Sequence, residues 1–185
     1  MEYVIHILAI FITISFLLKA GFYSHWGIWT AAICCALFVW FITPWMTEQS
    51  KTAMAAFFAS RSKMLNLSVC VTLEAAVMIA FCFDCFAAVR TRNTFFKQVM
   101  TFVLKLYPGL LIAGVLCYAL ALLLFSFPGI DFGSLSWIAA IATLLTVYGG
   151  AQLLYHIIGE ESVRLEVLFI VNIFIVILSI IATGY

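Results

Sequence analysis

The sequence predicts an all-α integral membrane protein in which six transmembrane helices form a compact bundle, accompanied by interfacial amphipathic helices. Composition is the first observation: 66% of the 185 residues are hydrophobic and 9% are charged, whereas about a quarter of the residues of a globular domain carry a charge. The second is length, since a helix needs about 20 apolar residues to cross a bilayer. Six runs approach or exceed that length, at 3–22, 26–43, 64–88, 106–127, 135–158 and 165–185. We therefore expect residues 1–185 to form one polytopic membrane domain.

The first run is expected to remain in the mature protein. Glu2 stands where a signal peptide would carry basic residues, and no small-residue cleavage site precedes the second run. The net charge is +1 and the basic residues are scattered along the chain. This pattern indicates no nucleic-acid partner.

The distribution of Lys and Arg predicts the orientation, because cytoplasmic loops are enriched in these residues. With six spans, one side of the membrane holds three of them: Lys51, Arg61 and Lys63. The other side holds six: Lys19, Arg90, Arg92, Lys97, Lys105 and Arg164. Lys19 lies within the first span and has a stem long enough to snorkel to the interface. We expect loops one, three and five in the cytoplasm and both termini outside, in a bacterial inner membrane.

Two connecting segments are predicted to lie on the membrane surface. Residues 44–63 combine apolar positions at helical spacing with polar positions elsewhere on the wheel, which favours a short interfacial helix. Residues 94–105 place aromatic and aliphatic side chains on one face and basic or polar ones on the other. This pattern predicts a basic amphipathic helix that anchors the chain beside anionic lipid. Tyr107, Pro108 and Gly109 then predict a bend into the fourth span, with one long kinked helix over 94–127 as the alternative.

Glu74 and Asp84 are the candidate ion or proton pathway residues, because both interrupt the third apolar run. A carboxylate at membrane depth is costly, so such residues are usually paired, protonated or functional. Ten residues along a helix leave the two side chains about 80° apart around the axis and about 15 Å apart in depth. Both can therefore face one interior, with Glu74 expected to be protonated at rest.

A structural role is the alternative for both carboxylates. Asp84 is then expected to snorkel or to pair with Arg90. Glu74 is then expected to hydrogen-bond across helices to one of four polar side chains: Asn172, Tyr118, Thr146 or Gln152.

Polar and small residues on the fifth and sixth spans predict contacts between helices. Asn172, Ser179 and Thr183 lie close to one line along the sixth span, and such stripes more often pack against helices than face lipid. The fifth span carries a small-residue face formed by Ala139, Ala142, Thr146 and Gly149. Tyr148 and Gln152 lie on a second, polar face of that span. A quinone or lipid-headgroup pocket is the alternative use of these residues.

No metal site or cofactor is expected. The six cysteines include a vicinal pair, Cys34 and Cys35, and a CxxC, Cys82 and Cys85. Free cysteine often behaves as a small buried hydrophobe, although paired thiolates also suit soft-metal transport. Bis-His haem ligation needs two histidines at matched depth, and the predicted spans place His25 and His156 at span ends rather than inside.

Two functions follow from these patterns. The first is a noncatalytic or accessory subunit of a larger inner-membrane complex, whose partners are the lipid bilayer and other membrane-protein subunits. The second is a small secondary transporter, or a proton- or cation-conducting protein, that uses Glu74 and Asp84. An enzyme is not expected, because no nucleophile and base occur at a recognisable spacing.

Overall fold

The computed structural model describes residues 2–48, 60–88, 103–104, 107–126 and 131–184. These residues contain no strand and form six long helices, each of which overlaps one predicted apolar run. They are α1 (Glu2–Ala20), α2 (His25–Thr47), α3 (Arg61–Ala88), α4 (Leu111–Ser126), α5 (Phe132–Ile157) and α6 (Glu161–Gly184). The predicted all-helical architecture is confirmed.

Five of the six helices are long and apolar enough to cross a membrane, and α4 is the exception. α4 has 16 residues, which corresponds to about 24 Å of helix. That length is less than the roughly 30 Å of a bilayer's hydrocarbon core. Membrane-spanning helices are therefore supported, whereas six spans and a compact bundle remain predictions.

The predicted surface helices fall mainly outside the described residues. Of the segment predicted over residues 44–63, the described ends belong to the neighbouring helices: α2 continues through Pro44 to Thr47, and α3 begins at Arg61. Of the segment over residues 94–105, only 103–104 are described, and they are helical.

Side-chain caps define two of the helix starts. Ser24 precedes α2, and its hydroxyl oxygen accepts a hydrogen bond from the Gly27 backbone N–H at 3.3 Å. Asp131 precedes α5, and its Oδ2 accepts one from the Ser134 N–H at 3.2 Å. Each cap satisfies a backbone donor that has no partner within the helix. The two turns that lead into α2 and α5 are thus specified locally.

Helix α1 packs between two helix pairs. α3 packs against α6 and α2 packs against α5, while α1 contacts α6, α5 and α4. On α5, a Cβ added to Gly150 would lie 2.8 Å from Leu17 Cδ1 of α1. Glycine therefore permits the close approach of these two helices. This arrangement surrounds the C-terminal half of α1 with other helices and brings its polar residues inside.

Candidate functional site at the start of helix α4

Glu74 lies midway along α3, and its side chain caps the N-terminus of α4. The carboxylate accepts hydrogen bonds from the Tyr107 hydroxyl at 3.1 Å, the Leu110 N–H at 3.0 Å and the Leu111 N–H at 2.9 Å. The first N–H groups of a helix lack intrahelical partners, and the helix dipole favours negative charge there. Glu74 therefore acts as an N-terminal capping residue for α4, although it belongs to the neighbouring helix α3.

A non-helical break, residues 107–110, precedes α4. Gly109 within it has φ of +97°, a conformation that glycine adopts without the steric penalty of a side chain. A Cβ at this position would lie 3.1 Å from Glu74 Oε1 and 3.0 Å from Met78 Cε. Glycine thus supplies both the backbone conformation and the space for the carboxylate. The predicted bend at residues 107–109 is confirmed, and the alternative of one long helix is wrong.

Lys19 places a second charge beside the break. It lies near the end of α1 and is 1% exposed, so its side chain is buried inside the protein. Its Nζ donates to the Leu104 carbonyl at 2.9 Å and lies 4.5 Å from the centroid of the Phe81 ring. It also interacts electrostatically with Glu74. An acceptor, an aromatic face and an opposite charge together compensate the ammonium group for its lost hydration.

Three side chains thus satisfy backbone groups in and around the break. Lys19 donates to Leu104, the Tyr23 hydroxyl donates to the Tyr107 carbonyl at 3.3 Å, and Glu74 accepts from Leu110 and Leu111. Backbone groups without partners cost several kcal/mol each at membrane depth. Irregular backbone is tolerated there when protein groups replace the missing water.

A small cavity adjoins the inner side of Glu74. Ser15 of α1, Asn172 of α6 and Gly109 contribute to its wall, with apolar side chains making up the rest. The space open to the centre of a water molecule is about 10 Å³, enough for about one water. Asn172 Nδ2 donates to Ser15 Oγ at 2.9 Å and to the Leu168 carbonyl at 2.8 Å. Ser15 and Asn172 are 4% and 1% exposed, so this polar pair lies inside the protein.

The other residues predicted on the polar stripe of the sixth span lie farther along α6. Ser179 is buried, and its hydroxyl lies 2.7 Å from the Ser68 hydroxyl of α3. This contact joins two helices. The side chain of Thr183 lies outside the described residues.

Asp84 and Glu74 do not meet in one site. Asp84 is half-buried on α3, ten residues and about 15 Å of helix beyond Glu74. Arg90, its expected partner, lies outside the described residues. Of these two carboxylates, Glu74 is therefore the one whose described contacts include the break.

On α5, Gln152 and Tyr148 face α2. Gln152 Nε2 lies 3.0 Å from His25 Nδ1 and 3.4 Å from the Tyr148 hydroxyl, and the Tyr148 ring packs on Trp29 with centroids 4.3 Å apart. Thr146 is exposed and donates to the Ala142 carbonyl of its own helix at 2.7 Å. These residues form contacts separate from the break.

An apolar groove of about 400 Å³ lies between α2 and residues 108–116. Cys34 and Cys35 contribute to its wall together with Tyr23 and Thr30. In the part of the chain that the structure describes, no three His, Cys, Asp or Glu side chains are placed to hold a metal ion.

Sequence reasoning missed two buried cations. Lys19 is the first, and its position inside an apolar run was a usable signal, because the membrane cost that singles out Glu74 applies equally to a lysine. Arg164 is the second: it is 6% exposed and donates to the Gly21 carbonyl at 3.2 Å. Its guanidinium carbon lies 4.6 Å from the centroid of the Tyr155 ring. Its position at the start of the sixth span gave no comparable signal.

Comparisons of this chain with protein-family models, curated proteins and solved structures found no match.

Replacing Gly109 with alanine is expected to destabilise the protein. The positive φ alone costs about 1–3 kcal/mol for a residue with a side chain, and the added Cβ presses on Glu74. Thermal unfolding in mild detergent measures the loss. Gly114→Ala on α4 is the matched control, because no atom lies within 4 Å of its added Cβ and alanine favours the helix. Equal unfolding temperatures for the two variants would contradict this role of Gly109.

Proposed function

We propose that this chain is a small transport protein of the bacterial inner membrane that moves a proton or small cation by way of Glu74. The observation that carries the proposal is a carboxylate at the midpoint of an apolar helix that accepts hydrogen bonds at the start of α4, directly after a non-helical break. Ionisable residues inside spans commonly mark ion pathways. Discontinuous helices commonly form the binding sites of secondary transporters.

The contacts of Glu74 suggest how proton uptake acts on α4. The carboxylate is the acceptor in all four described hydrogen bonds of Glu74, and an ionised carboxylate can only accept. Protonation removes the negative charge, so its attraction to the positive end of α4 and to Lys19 weakens. The start of α4 is then freer to move away from α3. Proton binding is thereby linked to a structural change at the break.

The groups that face Glu74 set the balance between its protonated and ionised forms. Lys19 faces it from α1 and Tyr107 from the break. α6 contributes the neutral Asn172 to the adjoining cavity wall. Lys19 therefore supplies a positive charge beside a carboxyl group whose charge changes.

Asp84 is the second proposed station of the pathway. By the Lys and Arg count it lies toward the cytoplasm, with both termini outside. Its separation from Glu74, about 15 Å along α3, requires water or other side chains between the two. Glu74 is therefore the more informative residue to replace.

Proton movement into liposomes that contain the purified protein tests the proposal. A potassium diffusion potential drives the flux, and a trapped pH-sensitive dye reports it. In Glu74→Gln the flux is expected to fall on the order of 100-fold, because an amide has no proton to exchange with the pathway. Glu166→Gln is the matched control, since Glu166 is an exposed carboxylate on α6.

Both variants are first checked for a single folded species by size-exclusion chromatography in detergent. Wild-type liposomes that move no protons or monovalent cations would contradict the proposal. So would a folded Glu74→Gln variant with wild-type flux.

An accessory role in a larger membrane complex is the second proposed function. The observation that favours it is the small-residue face of α5, where Ala142, Thr146 and Gly149 are exposed and no atom lies within 4 Å of a Cβ added to Gly149. Small residues allow a partner helix to approach closely in lipid. This chain leaves that approach open, while Gly150 next to it serves the contact with α1.

Substitution of Gly149 by leucine tests the accessory role. The change is expected to release any membrane protein that co-purifies stoichiometrically in mild detergent, because leucine fills the space a partner helix would use. Gly114→Leu is the control, since its added Cβ also meets no atom within 4 Å but lies on α4. Recovery of wild-type protein without a stoichiometric partner, or of an undiminished complex in Gly149→Leu, would contradict this role.

A further inference from the structure

The cavity beside Glu74 is also lined by a pair of neutral polar side chains. Ser15 and Asn172 come from α1 and α6, are nearly inaccessible to solvent, and form a 2.9 Å hydrogen bond with each other. Buried polar groups in an apolar environment normally have all their partners within the protein or through ordered water. The wall of this cavity supplies several such groups around space for about one water.

The hydrogen bonds of Asn172 leave Ser15 and Glu74 with atoms that can bond to one water molecule. Asn172 Nδ2 donates to Ser15 Oγ and to the Leu168 carbonyl, so both of its protons are used. The bond from Asn172 uses one lone pair of Ser15 Oγ, and the Ser15 O–H remains to donate. Glu74 also lines this cavity, and a carboxyl group retains lone pairs that can accept a further hydrogen bond. A water placed there has Ser15 to accept from and Glu74 to donate to.

We propose that Ser15 and Asn172 are positioning residues that hold one water against Glu74, and that this water delivers the transported proton. The inference rests on the proposed function and specifies the transported ion as a proton, because space for one water does not admit a hydrated metal cation. Asn172 acts through Ser15, whose hydroxyl it orients.

The transfer step conserves atoms and charge. A hydronium ion from the aqueous phase loses one O–H bond as its proton passes to the bound water, on whose oxygen a new O–H bond forms. A different O–H bond of the same water breaks as its proton passes to a Glu74 oxygen. The carboxylate becomes a neutral carboxyl group, and the water returns to its original composition. Reversal of these steps releases the proton.

The charged groups near this step are the ones that face Glu74. Lys19 from α1 and Tyr107 from the break interact with Glu74 away from the Ser15–Asn172 hydrogen bond. The pair itself carries no charge. It therefore orients the water without competing with Glu74 for the proton.

Two measurements on Ser15→Ala test the inference. The first is proton flux in liposomes, expected to fall about tenfold as the water loses a hydrogen-bond partner. The second is the rate at which the protonated Glu74 carboxyl exchanges into D₂O, followed by the infrared carbonyl band that Glu74→Gln abolishes. That rate is expected to fall by a similar factor, and Ser15→Thr, which restores a hydroxyl, is expected to recover both.

Ser179→Ala is the matched control. It also removes a buried serine hydroxyl between two helices, but lies seven residues from Asn172, about 10 Å along α6. The comparison requires that Ser15→Ala unfolds at a temperature no lower than Ser179→Ala does. If Ser15→Ala unfolds at a lower temperature, Asn172→Ser, which shortens the polar side chain, is used in its place. Exchange and flux that are the same in the Ser15 or Asn172 variant as in Ser179→Ala would overturn the inference.

The two readouts separate this inference from the proposed function. Wild-type liposomes that move no protons, with slower hydrogen exchange of the Glu74 carboxyl in Ser15→Ala, contradict the proposed transport function and support the water site. Wild-type liposomes that move protons through Glu74, with neither readout changed in Ser15→Ala, contradict the water site and support the transport function.

Discussion

The structure depends on satisfying backbone polar groups at the non-helical break before α4. In an apolar environment little water is available to bond the N–H groups that begin a helix or the carbonyls that precede it. Glu74 accepts from Leu110 and Leu111, and Lys19 donates to Leu104. Two ionisable residues, on α3 and α1, thus take the place of water on either side of the break. The positions of α1, α3 and α4 are coupled through these contacts.

Backbone hydrogen bonds, together with a weaker electrostatic attraction between the two groups, make Lys19 and Glu74 tolerable at the break. An unpaired charge in an apolar interior is far more costly than one with a counter-charge and hydrogen bonds. Lys19 and Glu74 interact electrostatically, and both also bond to the backbone. A change in the charge of Glu74 therefore alters the start of α4 and the environment of Lys19 at once. A structural contact of this kind is sensitive to protonation, which connects the fold to the proposed transport.

Local features of the fold were predictable from sequence, and long-range pairings were not. Apolar runs of sufficient length predicted the helices, and Pro108–Gly109 predicted the break, because both signals lie within a few residues. The cost of a buried carboxylate singled out Glu74. Its partners lie 33 to 37 residues away, and Lys19 and Leu104 are 85 residues apart. Backbone N–H groups are common to almost every residue, so sequence alone does not indicate which of them a carboxylate bonds.

Amide hydrogen exchange at Leu110 and Leu111 tests most directly whether Glu74 holds the start of α4. In Glu74→Gln, the exchange rates of these two amides are expected to rise about tenfold, since a bond to a charged acceptor is stronger than one to a neutral amide. The Ser134 amide, capped by Asp131, is expected to exchange as in the wild type. Unchanged rates at Leu110 and Leu111 would contradict the account.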